Sequence, residues 1–164
     1  MGRMTRILPV VGAFAVTAYA VIGVMSIVVW DPAAAVPGAT YGEIVAGIER
    51  SGESYATGVV VPMVLLAPGV VAAVVLSAVA VAGRLRWSTA AAWQLGLLVC
   101  GAPVYFWASF PLGMAVADAF LVSGGSHQPA PFVLYGASGL AALVLAVGAA
   151  TALRARPLSE SVME

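Results

Sequence analysis

The residues of this sequence that could carry chemistry are few. Among 164 residues there is one histidine, His127, and one cysteine, Cys100. A single cysteine excludes an intramolecular disulfide, a CxxC redox pair and a cysteine-built zinc site. His127 with a carboxylate such as Asp118 or Glu43 could bind a divalent metal or exchange protons. No HExxH or similar ligand spacing accompanies them, so we predict no metal site and no cofactor.

Long uncharged segments separate these candidates and indicate the class of protein. The chain is 62% hydrophobic and 9% charged. So few ionised side chains cannot cover the surface of a soluble domain of this length. The seven basic residues balance the seven acidic ones, whereas a nucleic-acid partner needs a basic face. We therefore predict a membrane protein that has the lipid bilayer as its surroundings and no nucleic acid as a partner.

Four apolar segments are long enough to cross a membrane. The clearest runs from Tyr55 to Gly83, where 29 residues carry no charge and two arginines follow. As a helix it would be roughly 43 Å long, which exceeds the ~30 Å hydrocarbon core of a bilayer. The predicted spans cover residues 7–30, 55–83, 90–112 and 131–153.

Two longer intervals join these spans on one side of the membrane. Residues 31–54 form the longest predicted loop. Within it, apolar residues recur at helical spacing and predict a short amphipathic helix near residues 41–50. Residues 113–130 form the second interval, and their first part, 113–122, either continues span three or lies at the interface.

The basic residues orient this arrangement, because cytoplasmic loops of membrane proteins concentrate Lys and Arg. Only Arg50 falls on the side of the two longer intervals. We predict an all-α, four-helix bundle in the plasma membrane, with both termini cytoplasmic and the longest loop outside. The other six basic residues fall on the predicted cytoplasmic side: Arg3, Arg6, Arg84, Arg86, Arg154 and Arg156.

Small residues recur every four positions on three spans. Such ladders let helix backbones approach closely, which favours packing in lipid. A leucine in place of Gly96 should then disrupt the bundle. The predicted packing residues are Gly69, Ala73, Ser77, Ala92, Gly96, Cys100, Ser138, Ala142, Ala146 and Ala150.

Prolines and one amide are the remaining features of the spans. Pro62 and Pro68 in span two, and Pro103 and Pro111 in span three, predict kinks. The pair in span two is alternatively a hinge or an opened carbonyl site for an ion. Gln94 is the one strongly polar side chain inside a span, and it either bonds to a neighbouring helix or contacts a ligand.

No ionised side chain lies deep in any predicted span, which argues against a proton-coupled pump. We therefore predict a non-catalytic multi-pass membrane protein: an accessory subunit, assembly factor or interaction partner of a larger complex. Its partner would be another membrane protein or a second copy of this chain. One alternative is a small transporter or channel component that acts as an oligomer. A second alternative is a membrane enzyme or lipid-handling protein with a site on its outer face.

Overall fold

The computed structural model describes residues 3–154 of the chain, which are helical apart from short connections. Arg156 and the polar tail lie outside the described residues. The elements are α1 (Arg3–Met25), a π-turn (Ser26–Trp30), α2 (Asp31–Ala35), α3 (Tyr41–Arg50), α4 (Tyr55–Val81), α5 (Trp87–Phe120) and α6 (Ala130–Arg154).

Four helical stretches in this range are long and apolar enough to cross a membrane. They are the continuous stretch Ile7–Ala35, then α4, α5 and α6, with 29, 27, 34 and 25 residues. At 1.5 Å per residue the shortest is about 37 Å long, which exceeds a ~30 Å hydrocarbon core. The prediction of an all-helical protein with four apolar spans is confirmed.

The first helix continues past Trp30, where the sequence suggested an end. The backbone N–H of Asp31 donates to the carbonyl of Ser26, an i to i+5 bond that makes this turn a π-turn. Pro32 then occupies the first turn of α2, where its missing N–H and fixed φ are tolerated. The Asp31–Pro32 pair therefore begins a helical segment and does not form a loop.

The prolines do not interrupt α4 or α5. Both helices continue through their two prolines. Residues 113–120 belong to α5, which ends at Leu121 in the left-handed conformation with φ 56°. Each proline removes one backbone hydrogen bond, a loss that membrane helices tolerate where neighbours pack around the freed carbonyl.

The spans run alternately up and down. α1 and α5 pack against each other, α4 packs against both, and α6 packs mainly against α5 with a smaller contact to α1. We call the end formed by residues 36–54 and 121–129 the long-loop end, and the end formed by residues 82–86 the short-loop end.

The larger apolar core lies toward the long-loop end. α3 closes it by inserting Ile44 and Ile48, which are 1% and 0% exposed. A capping box begins this helix, because Glu43 accepts from the backbone N–H of Thr40 at 2.7 Å while its own N–H bonds to the Thr40 hydroxyl. The other end of the same helix packs Gly47 on the ring of Phe120. The amphipathic pattern near 41–50 thus corresponds to a helix that covers the bundle.

Candidate functional site

One polar cluster lies inside the bundle toward the short-loop end. Gln94 on α5 is 2% exposed. Its Nε2 donates to the carbonyl oxygen of Pro9 on α1 at 2.8 Å and to Oγ of Ser77 on α4 at 2.9 Å. The Ser77 hydroxyl also donates to the Pro9 carbonyl. This Gln94 cluster joins three spans, which is what a buried amide between membrane helices is expected to do.

The Gln94 side chain fits because Gly12 has no side chain. A Cβ at Gly12 would collide with the Gln94 amide. Oε1 of Gln94 is buried and accepts no hydrogen bond from the described residues. Exchanging the amide N and O would place oxygen against the Pro9 carbonyl, so the donor contacts fix the orientation of the amide. The cluster is therefore a tight contact between helices.

Halfway along the bundle, Ser138 connects α6 to the other spans. Its hydroxyl donates to the backbone carbonyl of Leu98 at 2.7 Å and shares a 3.2 Å hydrogen bond with the hydroxyl of Tyr19. Tyr19 in turn lies against Gly101, where an added Cβ would be 2.7 Å from the ring. Polar contacts and close packing thus coincide at the junction of α1, α5 and α6.

A second polar cluster surrounds the π-turn at the long-loop end. Ser26 is fully buried, and its Oγ lies 2.8 Å from the hydroxyl of Tyr105 on α5. Nε2 of Gln128 donates to the same Oγ at 2.6 Å, while Oε1 of Gln128 accepts from the N–H of Ala130 and so caps α6. We call Ser26, Asp31, Tyr105 and Gln128 the Ser26 cluster.

Asp31 attaches the loop before α6 to the end of the first helix. Its Oδ1 accepts from the Ser126 hydroxyl at 2.8 Å and from the His127 backbone N–H at 2.7 Å. Both donors are neutral, so these contacts leave the negative charge of the carboxylate uncompensated. The imidazole of His127 takes no part in either contact, because the donor is the backbone.

A cavity of about 400 Å³ adjoins the Ser26 cluster. Asp31 is the one charged side chain in its lining. Tyr105 and Tyr135 meet there edge to face, with ring centroids 5.8 Å apart. The other aromatic residues of the lining are Phe106, Phe110 and Phe132. The cavity therefore combines one carboxylate with an aromatic wall.

The three outer-face candidates, Asp118, His127 and Glu43, are exposed. Glu43 is engaged in the cap of α3, where the hydrogen bond from the Thr40 N–H lowers the pKa of its carboxyl. Among residues 3–154, no group of three or more His, Cys, Asp or Glu side chains could hold a metal ion. The carboxylate that lines the cavity belongs to Asp31, which was not among the residues selected from the sequence.

The ten predicted packing residues differ in burial. Ala73, Ser77 and Ser138 are buried and lie at contacts between spans, whereas Gly69 is half-buried and a Cβ there would meet no atom within 4 Å. A Cβ at Gly96, which is half-buried, would meet no atom within 4 Å, so for packing within one chain we now expect leucine there to be tolerated, contrary to the expectation from the sequence. Five others are exposed: Ala92, Cys100, Ala142, Ala146 and Ala150.

The contact face of α5 follows a different set of residues. Ala90, Gln94, Gly101, Tyr105 and Ala108 are all buried. Small residues of α5 occur on every face of this helix, so their spacing alone does not identify the packed face. A buried amide and a buried tyrosine need partners, and their separation of 11 residues, close to three helical turns, is the signal that identifies it.

The four predicted kink positions differ in burial. Pro62 is buried, Pro111 is half-buried, and Pro68 and Pro103 are exposed. Pro62 lies one turn beyond Gly58, where an added Cβ would be 2.7 Å from the Leu112 side chain. That half of α4 is therefore tightly held against α5.

The comparisons with known proteins place this chain in no family. No protein-family model, curated protein or solved structure matches it. Its function must therefore be argued from the packing of the spans, the two polar clusters and the cavity.

Proposed function

We propose that this chain is a non-catalytic multi-pass membrane protein that serves as a subunit or assembly partner of a larger membrane complex. The observation that carries the proposal is the packing of α6. α1, α4 and α5 bury side chains along most of their length, but α6 buries only Pro131, Leu134, Ser138 and Ala141.

The remainder of α6, residues 142–154, has no buried side chain, and only Leu145 is half-buried. These 13 residues span about 20 Å, or roughly two-thirds of the hydrocarbon core. Within one chain this half of the helix contributes almost nothing to packing. It is therefore free to contact another membrane helix.

Its composition favours a helix over lipid as the neighbour. Ala142, Ala146 and Ala150 form an exposed ladder with a spacing of four, flanked by the exposed side chains of Leu143 and Val147. Small residues bring no advantage against fluid lipid, but they let a second helix approach closely. The partner is thus a transmembrane helix of another protein or the same helix of a second copy.

We further propose that the short-loop end faces the cytoplasm of the cell and that the membrane is the plasma membrane. Arg84 and Arg86 lie in the short loop and Arg154 ends α6 at the same end, whereas Arg50 lies at the long-loop end. This asymmetry supports cytoplasmic termini. Alkaline phosphatase fused after Glu164 should be inactive, because that reporter works only outside the cytoplasm. Full activity of the fusion would overturn the orientation.

A photo-crosslinking experiment tests the role of α6. A benzophenone-bearing amino acid at position 146 should give a discrete protein adduct in native membranes. The same probe at position 64 should give only lipid adducts, because Val64 is 62% exposed on α4, a helix that is packed along its length. Ala142→Leu should remove the adduct formed from position 146, since leucine blocks close approach of a helix.

One further measurement completes this experiment. Cys100 is the single cysteine, so Ala146→Cys in a Cys100→Ser background tests for a second copy of the chain. A disulfide-linked dimer would identify the partner as a second copy of this chain. A photo-crosslinked protein adduct in the absence of such a dimer would identify a different protein. Lipid adducts alone from position 146, unaffected by Ala142→Leu, would overturn the proposal.

The transporter alternative started from Pro62 and Pro68. α4 is helical through both residues. The carbonyls of Gly58 and Val64 lack their usual N–H partners, because each lies four residues before a proline. Neither Gly58 nor Val64 belongs to the lining of a described cavity. The transporter alternative therefore stays a prediction from the sequence.

A further inference from the structure

We propose that the cavity beside the Ser26 cluster binds an organic ammonium group that carries an apolar chain. This inference does not depend on the proposed role of α6. It stands on the size of the cavity, its charge, its aromatic lining and the helix geometry that builds it.

The size and position of the cavity suit a small amphiphile. Its volume of about 400 Å³ lies within the range of small-molecule sites in proteins. Residues of the π-turn, α2, α5, α6 and the loop before α6 line it, and Phe106, Phe110 and Phe132 are also exposed on the outside of the bundle. An apolar chain can therefore extend from the cavity along these rings toward lipid.

The charge of the lining selects the sign of the ligand. Asp31 contributes one negative charge, and no Lys, Arg or His belongs to the lining. Oδ1 of Asp31 holds the two neutral donors of the loop, and among the described residues Oδ2 accepts no hydrogen bond. An anion would be repelled, and a neutral ligand would leave a partly desolvated carboxylate without a counter-charge. An ammonium group satisfies it.

The aromatic rings add a second preference for a cation. Five rings, from Tyr105, Phe106, Phe110, Phe132 and Tyr135, contribute to the lining. The negative face of an aromatic ring attracts ammonium groups, and rings grouped around one position form the usual site for quaternary ammonium. Ser109 and Ser126 belong to the lining as well and could accept hydrogen bonds from a primary amine.

The π-turn explains how the carboxylate reaches this position. The turn contains one residue more than an α-helical turn, which rotates α2 by about 100° relative to α1. Ile27 within the π-turn and Asp31 directly after it both line the cavity. Without the extra residue, Asp31 would be rotated by about 100° relative to the residues of α1 that precede the turn. π-turns are frequent at functional sites for this reason.

Two sources could supply this ligand chemistry. One is a phospholipid whose headgroup ends in choline or ethanolamine, and the other is a free amphiphilic amine. Both present a cation next to an apolar chain, so the same site would accept either of them.

The first experiment uses the full-length chain purified in dodecyl maltoside. Decyltrimethylammonium is titrated and binding is followed by tryptophan fluorescence and thermal stability, with decyl maltoside as the neutral compound of equal chain length. Asp31→Asn should weaken binding by about tenfold or more, because asparagine keeps an acceptor for Ser126 and His127 but loses the charge. Phe132→Leu should weaken it by roughly threefold, because it replaces an aromatic ring with an apolar side chain.

The matched control is Asp118→Asn. Asp118 is an exposed carboxylate on the same end of the bundle, but it does not line the cavity. This variant should bind decyltrimethylammonium with unchanged affinity. Equal affinity of the wild type, Asp31→Asn and Phe132→Leu would overturn the proposal. Equal binding of the neutral decyl compound would overturn it too. Phe132→Leu keeps the carboxylate and its loop contacts, so it remains informative if Asp31→Asn fails to fold.

The second experiment distinguishes the sources. The protein is reconstituted in nanodiscs of equal parts phosphatidylcholine and phosphatidylglycerol, and retained lipid is measured by native mass spectrometry. Selective retention of phosphatidylcholine by the wild type but not by Asp31→Asn would identify a lipid headgroup. Equal retention of phosphatidylcholine by the wild type and by Asp31→Asn, together with Asp31-dependent binding of decyltrimethylammonium, would identify a free amine. No dependence on Asp31 in either experiment would overturn the proposal.

Discussion

The three spans α1, α4 and α5 differ from the second half of α6 in what their apolar residues contact. In the three spans, small residues lie under neighbouring side chains, as Gly12 does under Gln94 and Gly101 under Tyr19. In residues 142–154 the small residues are exposed. The difference teaches that the same composition serves two purposes: folding of one chain in the first region and, in our proposal, association with another chain in the second.

The largest expected effect tests the packed region. In Gly101→Leu the first side-chain atom would lie 2.7 Å from the Tyr19 ring, which is buried and bonded to Ser138. The ring would have to move, and overpacking of this kind costs about 1–3 kcal/mol. We expect a clearly lower midpoint of thermal unfolding for the protein in detergent.

Two leucine substitutions at positions without close neighbours are the controls for this prediction. Gly96 lies five positions earlier on the same helix, and a Cβ there would meet no atom within 4 Å. Ala146 is exposed on α6. Gly96→Leu and Ala146→Leu should leave the unfolding midpoint of the isolated chain unchanged. If Gly101→Leu were as stable as these two variants, the distinction between the two regions would fail.

A smaller effect is expected for Gln94→Leu. Leucine retains most of the apolar volume but removes the donors to Pro9 and Ser77. Ser77 still donates to the Pro9 carbonyl, so one contact between α1 and α4 survives. Hydrogen bonds between membrane helices contribute about 0.6–2 kcal/mol each. We therefore expect the free energy of unfolding, measured with denaturant, to fall by about 1 kcal/mol.

A double-mutant cycle sharpens the comparison. Ser77→Ala should cost less free energy of unfolding in a Gln94→Leu background than in the wild type, because the two side chains share a hydrogen bond. Additive effects would show that the Gln94 amide acts independently of Ser77. If the free energy of unfolding of Gln94→Leu were unchanged, the Gln94 cluster would not contribute to the stability of these spans.

The class of fold follows from the sequence because a long uncharged run has one stable arrangement in lipid. A helix satisfies its own backbone groups, and the four runs are therefore helical. The faces of the helices are harder to assign. Ala and Gly occur all around α5 and α6, so ladders such as Ala92–Gly96–Cys100 arise away from the packed face. Gln94 and Tyr105 mark the true face, since a buried polar group has to find a partner.

The cavity could not be predicted from the sequence because it depends on contacts between distant residues. Asp31 and His127 are 96 positions apart, and Ser26 and Gln128 are 102 apart. The sequence around Asp31–Pro32 also suggested a turn, whereas a π-turn continues the helix. Tyr105 is 3% exposed, and its hydroxyl shares a hydrogen bond with Ser26 on a helix 79 positions away.

The wider turn at Ser26–Trp30 divides the first helix into two parts with separate angular phases. The part before it sets which residues face α4 and α5 inside the membrane. The part after it sets where Asp31 and Pro32 stand at the long-loop end. The turn therefore lets one continuous helix present one face to α4 and α5 and a differently rotated face to the cavity.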